Sequence, residues 1–208
     1  MCSFATDIVF RERAIGMLTA GMSTRAFNTK FSTISRFQRR FREFGSTRVT
    51  RGEMQPYPDH PDRFERPAQV LCTEGLTGRC YWEVEVEGNK YSTYIGVAYK
   101  EISRRGRHYD LLLGHNDKSW SLRYADDQYM AWHNMVSTVI PVPSVHSNKL
   151  GLYLDWSAGT LSFYSVSCST LTHLHTFHTK FSEPVYPAFR VWANGTSVIV
   201  LVWQKVLP

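Results

Sequence analysis

The run GRCYWEVEVEG, from Gly78 to Gly88, alternates without a break between two kinds of side chain. An extended chain sends successive side chains to opposite faces, so Tyr81, Glu83, Glu85 and Glu87 fall on one side and Trp82, Val84 and Val86 on the other. The pattern is that of a half-buried strand whose carboxylate face meets water. A chain that contains it must build a sheet and lay something apolar against Trp82.

The residues after Thr47 repeat this texture. YSTYIGVAYK, KSWSLRY, KLGLYLDW, TLSFYSV and TSVIVLVW read as further strands, separated by Gly, Pro, Asn and Asp, and no helix of more than a turn or two is suggested among them. In LGLYLDWSAGTLSFYSV two apolar runs flank Asp155-Trp156-Ser157-Ala158-Gly159, a loop ending in the Gly that a tight reversal favours, so a hairpin is expected there. MQPYPDHPDRFERPA holds four prolines in fifteen residues and reads as an extended strap over the sheets, because proline cannot donate to a central ladder. The 11 Tyr, 12 Phe and 6 Trp of the 208 residues supply core for such a sandwich.

The first 46 residues read differently. From Asp7 to Phe44 apolar residues recur at helical spacing: Ile8, Ile15 and Leu18 precede Gly21, Ser23 caps a new helix, and Ser32 caps a third. Phe31, Ile34, Phe37, Phe41 and Phe44 form one stripe there, with Arg36, Arg39, Arg40 and Arg42 interspersed. Charge divides at the same place: residues 1–52 carry 10 Lys and Arg against 3 Asp and Glu, while the remainder carries 14 against 15. The net +6 of the chain therefore belongs to its N-terminus.

Cys2, Cys72, Cys80 and Cys168 form no C-x-x-C pair, which reads as reduced thiols, with Cys80 a small core residue. His173 and His175 of THLHTFH share a face in an alternating strand, but no Cys or carboxylate accompanies them or His178, so no metal is expected. Phosphate-loop, serine-elbow and zinc-helix motifs are absent, and the carboxylates of Glu83, Glu85 and Glu87 suit a solvated strand face better than catalysis. Neither enzymatic activity nor a cofactor is expected. With no membrane-length apolar run and no leader pattern, the expected setting is soluble and cytoplasmic.

The segments QPYPDHPDRF, QVLCTEGLTGRCYWEVEVEG, YIGVAYKEISRRG, LGHNDKSWSL, YLDWSAGTLSFY and EPVYPAFRVW occur in the order seen in the PRY-SPRY family. From about Thr47 to Trp203 the chain resembles that family, in the form carried by fish NOD-like receptors, tripartite-motif proteins and stonustoxin-like proteins. The resemblance implies a bent sandwich of two antiparallel sheets that binds other proteins through loops at one end, in an innate-immune-like context. RERAIGMLTAGMSTRA and FSTISRFQRRFREFGST instead resemble the helix-turn-helix of mariner-type transposases. Only eight residues separate the caps Ser23 and Ser32, where a short helix plus a turn needs about eleven, so that unit is incomplete. The division expected is a helical remnant over 1–46 and a PRY-SPRY sandwich over 47–208. The strands that normally open a PRY segment are then missing, replaced by transposon-derived sequence.

The segment Tyr124 to His133 mixes acidic and aromatic residues and does not read as a buried strand; its family equivalent contributes to ligand-facing loops. Tyr124, Asp126, Tyr129, Trp132 and His133 are the candidate protein-binding residues, joined by Trp192, Ala193 and Asn194 from the late loop between the last two strands. Trp132 and Trp192 plugging the sandwich ends is the plainer alternative. Arg104, Arg105, Arg107 and His108 form a basic loop suited to an acidic partner or simply to water, and Trp82, Trp120 and Trp156 are read as structural. The partner expected is a protein without further identity. The rival reading is DNA binding through Arg36, Arg39, Arg40 and Arg42, and a third is a fragment without function.

Overall fold

The computed structural model describes residues 48–50, 62–64, 68–88, 92–106, 109–125, 128–143, 147–167, 170–192 and 195–206. Among these, twelve strands and no helix occur. They are β1 (Arg48–Thr50), β2 (Gln69–Leu71), β3 (Arg79–Glu87), β4 (Thr93–Tyr99), β5 (Ser119–Ala125) and β6 (Gln128–His133), then β7 (Val136–Ile140), β8 (Lys149–Asp155), β9 (Thr160–Val166), β10 (Leu171–His178), β11 (Val185–Val191) and β12 (Ser197–Val206). Every pairing is antiparallel, and the strands form two six-stranded sheets. Sheet A has the order β1-β12-β3-β8-β9-β10 and sheet B the order β2-β11-β4-β5-β6-β7. The mainly β, two-sheet sandwich expected from the alternation is the fold observed.

Trp82, Val84 and Val86 face inward from β3 as the alternation requires, and meet Leu152, Phe163, Ile95, Leu122 and Phe189 in one continuous core. The opposite face of β3 corrects the solvated-face reading. Tyr81 and Glu83 are fully buried, Glu85 is half-buried and only Glu87 is exposed. β3 lies between β12 and β8 at the centre of its sheet, and opposite Glu83 stands Gly151, whose missing side chain leaves room for the Tyr81 ring. The Tyr81 hydroxyl donates to Glu83 Oε1 at 2.9 Å. This partner replaces part of the hydration that the buried carboxylate gives up.

β8 and β9 form the expected hairpin. Asp155 accepts a hydrogen bond from the Ala158 amide, and Gly159 takes a left-handed conformation (φ 69°) with the Thr179 carbonyl packed where a Cβ would stand. Trp156 donates its indole N–H to the Glu183 carbonyl, which holds the hairpin tip to the segment between β10 and β11. Trp120 is buried between Tyr99 and Phe181, both edge-on at 5.2 Å, and stacks on His133 at 4.8 Å. Of the proline-rich strap, Asp62 to Phe64 are described, and Phe64 is buried against the outer face of sheet B. Neither Cys72 nor Cys80 is in a disulfide, and burial pushes the Cys72 thiol up to about 12.

His173 and His175 do not share a face. The register slips between them: His173 pairs with Tyr164 and His175 with Phe163, adjacent residues of β9 that point opposite ways. His173 accordingly bonds Thr176 on the outer side, while His175 turns in against Phe177, edge-on at 4.5 Å. Burial, then the neighbouring His173 and His178, hold His175 below the ordinary imidazole range. The unfolded chain therefore takes up this proton at higher pH than the folded one. The stabilisation by neutral His175 is complete above the ordinary value of about 6.5 and is lost as pH falls through the lowered folded value.

Two outcomes are expected. The melting temperature should fall more between about pH 7.5 and about pH 5 for the parent than for His175→Gln, and equal slopes would exclude this residue as the source. Trp82→Ala should cost about 3–5 kcal/mol, measured by denaturant unfolding, because a fully buried indole leaves a cavity between the sheets.

Candidate functional site

The outer face of sheet B is where side-chain chemistry and partial exposure coincide. The register sets two rows across it. One runs Gln69, Arg190, Tyr94, Arg123, Met130, Val139 and the other Leu71, Ala188, Gly96, Ser121, Trp132, Ser137, from β2 to β7 in each case. Tyr94, Ala98 and Ala188 form a second apolar cluster here with Phe64, Ile102 and Leu113, and Leu71 and Trp132 pack on its margin. The strap and the β4–β5 connection thus cover part of the sheet. At the far edge Ser137 and Val139 of β7 are exposed.

The connection is held down by named bonds. Gln69 Nε2 donates to the Leu111 carbonyl and Gln69 Oε1 accepts from the Leu113 amide, both at 3.0 Å. Asn116 donates to the Asp110 and Leu112 carbonyls, while Ser119 Oγ accepts from the Gly114 amide at 2.7 Å. Gly114 has φ 85°, and a Cβ there would come within 2.2 Å of Ser121 Oγ and 2.8 Å of the Trp132 Cβ. This close approach sets His115 flat on Trp132, with ring centres 4.5 Å apart, and Tyr109 flat on His115 at 6.4 Å. The outcome is a stack of three rings, of which Tyr109 is 56% exposed.

Beside the stack lies Arg190. Its guanidinium sits 4.5 Å above the Tyr94 ring and 5.3 Å from that of Trp192, which is 49% exposed. Burial lowers the pKa of Arg190, with Arg123 in the same row pushing the same way and Tyr94 opposing. Arg123 reaches Ser92 Oγ with Nε and the Met130 sulfur with Nη1. Ser121 Oγ, Trp132 Nε1, and Arg190 Nε and Nη1 are buried without a hydrogen-bond partner. Aromatic faces, cations and unused donors on one sheet face are the materials of a recognition surface.

The residues singled out in the sequence divide by the pleat. Tyr124 and Tyr129 are strand residues at a facing pair, both 3% exposed, with ring centres 4.8 Å apart in the core, so the loop reading of Tyr124 to His133 is corrected. His133 also turns inward, onto Trp120, and bonds the Ser119 carbonyl. Trp132 alone of that strand's aromatics faces outward, half-buried, and Trp192 joins it through the end of β11. Asp126, Ala193, Asn194, Arg107 and His108 lie outside the described residues, as do Arg36, Arg39, Arg40, Arg42 and the whole helical segment. Arg104 is laid over the Phe64 ring at 4.2 Å and donates to the Lys100 carbonyl, so it fastens the strap, and Arg105 is exposed. Sequence reasoning missed Tyr94, His115, Arg123 and Arg190. The one signal available for Arg190 was a charge set inside the apolar run VYPAFRV.

Among the described residues no group of three or more His, Cys, Asp or Glu is placed to hold a metal ion, and no helix is long and apolar enough to cross a membrane.

Comparison with known proteins names the class. The SPRY domain family model matches residues 79–201 and that of the SPRY-associated domain, PRY, matches 45–76. The chain belongs to the SPRY domain family, a family of protein-interaction modules also present in tripartite-motif proteins. It is 46% identical over 150 residues to stonustoxin subunit beta of Synanceia horrida, covering 71% of this chain and 21% of that protein. It is 38% identical over 148 residues to tripartite motif-containing protein 14 of Mus musculus, covering 71% of this chain and 33% of that one. Of solved structures, the TRIM65 PSpry domain matches with a TM-score of 0.65 and 32% identity, over 74% of this chain and 79% of that chain. A stonustoxin structure matches with the same TM-score and 42% identity, over 72% of this chain and 24% of that one. The chain thus spans about a fifth of the length of the stonustoxin subunit it resembles.

Gly114→Ala tests how the ring stack is held. It should cost about 1–3 kcal/mol, because the added methyl strains a left-handed backbone and collides with Ser121 and Trp132. Two-dimensional NMR should show shifts confined to the His115 and Trp132 neighbourhood, and shifts spread across sheet A would refute the local account.

Proposed function

We propose that this chain is a non-enzymatic protein-binding module that receives its ligand on the outer face of sheet B, across Tyr109, His115, Trp132, Arg123 and Trp192. The observation that carries the reading is the Tyr109–His115–Trp132 stack, rigidly backed by the β4–β5 connection yet open to solvent at Tyr109. Rigid aromatic side chains lose little entropy on binding, which is why few of them supply much of the energy at protein interfaces. Asp126 follows Ala125, the last residue of β5, and Asn194 stands two residues beyond Trp192, so both belong to the proposed site on the ground of sequence. Tyr124, Tyr129 and His133 serve it from within, as the packing under the strands that carry Arg123 and Trp132.

Membership in a family of protein-interaction modules supports the reading, as does the 79% coverage of the TRIM65 PSpry domain, a solved structure of this domain on its own. The cytoplasmic, innate-immune-like setting implied by the sequence resemblance is part of the same proposal.

The test is selection of peptides from a displayed library on the full chain, followed by affinity measurement with variants. Trp132→Ala and Trp192→Ala should each weaken the selected peptides at least about tenfold, or about 1.4 kcal/mol. Thr172→Ala, on exposed β10 of the other sheet, should leave affinity unchanged. If the tryptophan variants bind as the parent does, the ligand sits elsewhere.

A further inference from the structure

We propose that Arg190 is an anchor for a carboxylate of the protein ligand, so that the surface selects a segment carrying an Asp or Glu side chain beside an apolar residue. The inference rests on the reading of the outer face of sheet B as the ligand surface and adds to it the chemistry of the ligand.

Arg190 is 4% exposed, and its Nε and Nη1 donate to nothing. A guanidinium carries five N–H donors and stays charged, so burying it with donors unmet is costly. Its neighbours supply ring faces, from Tyr94 and Trp192, which stabilise a cation, and the Tyr94 side chain adds one hydrogen bond, which still leaves Nε and Nη1 without an acceptor. The amide of Gln69, next to it in the register, is committed at both ends to Leu111 and Leu113. No carboxylate among the described residues contributes to its electrostatics, and the other charge that does is a second cation, Arg123. Two cations in one row with no described counter-charge are complementary to an anion brought from outside.

A carboxylate is the group that meets the fork of Nε and Nη in two parallel bonds. A side chain suits the place better than a chain terminus. The row continues past Arg190 to β2 on one side and to Arg123, Met130 and Val139 on the other, so a segment lying along it crosses the cation rather than ending on it. Of the two rings that touch the guanidinium, Trp192 is the exposed one, and its indole is what an entering carboxylate moves aside.

An array of C-terminally amidated peptides, probed with the full chain, tests this. Each sequence is spotted with Glu, Asp, Gln or Asn at one fixed central position among apolar and aromatic neighbours. A parallel series ends in a free carboxylate. The expected result is at least a tenfold preference for Glu or Asp over the matching amide in the amidated series, lost in Arg190→Met. Because that substitution removes a buried charge with unused donors, the variant should melt no lower than the parent.

Peptides bound without an acidic preference would overturn the Arg190 assignment and leave the protein-binding reading standing. Absence of any bound peptide would overturn both. A preference that survives Arg190→Met, or one confined to free C-termini, also overturns the assignment, as does a melting temperature several degrees below the parent's. The Glu-to-Gln ratio of the parent decides the matter even if the variant fails to fold.

Discussion

One side-chain amide holds the open face of sheet B in shape. Gln69 leaves β2 and is buried beneath the β4–β5 connection, where its two ends fasten Leu111 and Leu113. Without such a tether the connection would have to satisfy its backbone groups with water and stand away from the sheet. With it, Leu113 enters the apolar cluster of Phe64 and Tyr94, Gly114 closes against Trp132, and His115 has one place left to lie. The exposed rings are therefore fixed from below by a polar contact and from the side by a steric one. Both constraints are needed, since a hydrogen bond alone leaves the rings free to turn and a close contact alone leaves the loop free to lift.

The same face carries a cost. In sheet A the buried Glu83 receives the Tyr81 hydroxyl, so a charge taken from water gains an internal donor. In sheet B, Arg190 receives ring faces and keeps donors unused. Ser121 and Trp132, paired across β5 and β6, keep an unused hydroxyl and indole N–H nearby. Buried donors without acceptors destabilise a fold by about 1–3 kcal/mol each, and more when charged. Four such atoms, on Ser121, Trp132 and Arg190, lie together on this face at a cost to the stability of the fold.

The alternation of side chains made most of the fold legible. β3, β4, β5, β8, β9 and β12 all correspond to runs marked in the sequence. The pattern told which residues share a face but not that both faces of a central strand are covered, and so Glu83 was read as solvated. β6 and β7 were missed for a definite reason. They are joined by Asn134 and Met135, both with positive φ (47° and 63°), in a two-residue reversal of the kind usually flagged by Gly, and Met gives no such signal. Four of the five residues of β7 are exposed, so that edge strand carries no apolar alternation to read. Once β6 is a strand, the pleat sends Tyr129 and His133 inward and Trp132 outward, which no composition of the segment would have said. The slip at His173 and His175 is likewise invisible without the partner strand.

The register also fixes what kind of surface the open face presents. The row that begins at Gln69 and Arg190 ends at Val139, 61% exposed on the edge strand, with Met130 and the sulfur contact of Arg123 between. Met135 at the β6–β7 turn is exposed as well, at 51%, whereas Val136 pairs with the inward-turned His133 and so belongs to the other face. The face is thus graded, cationic and aromatic toward β11 and aliphatic toward β7. Isolated exposed aliphatics on a sheet edge are ordinary, and they threaten self-association when they form a flat strip. Here the strip is continuous with aromatic rings held in fixed positions and with a cation that has no counter-charge among the described residues. A segment laid from the cation toward β7 would pass Tyr94, Arg123 and Met130 before it reached the aliphatic edge at Val139. Polarity along the row therefore gives a ligand a direction as well as a place. That direction follows from strand register alone, which is the level at which this sequence specifies its surface.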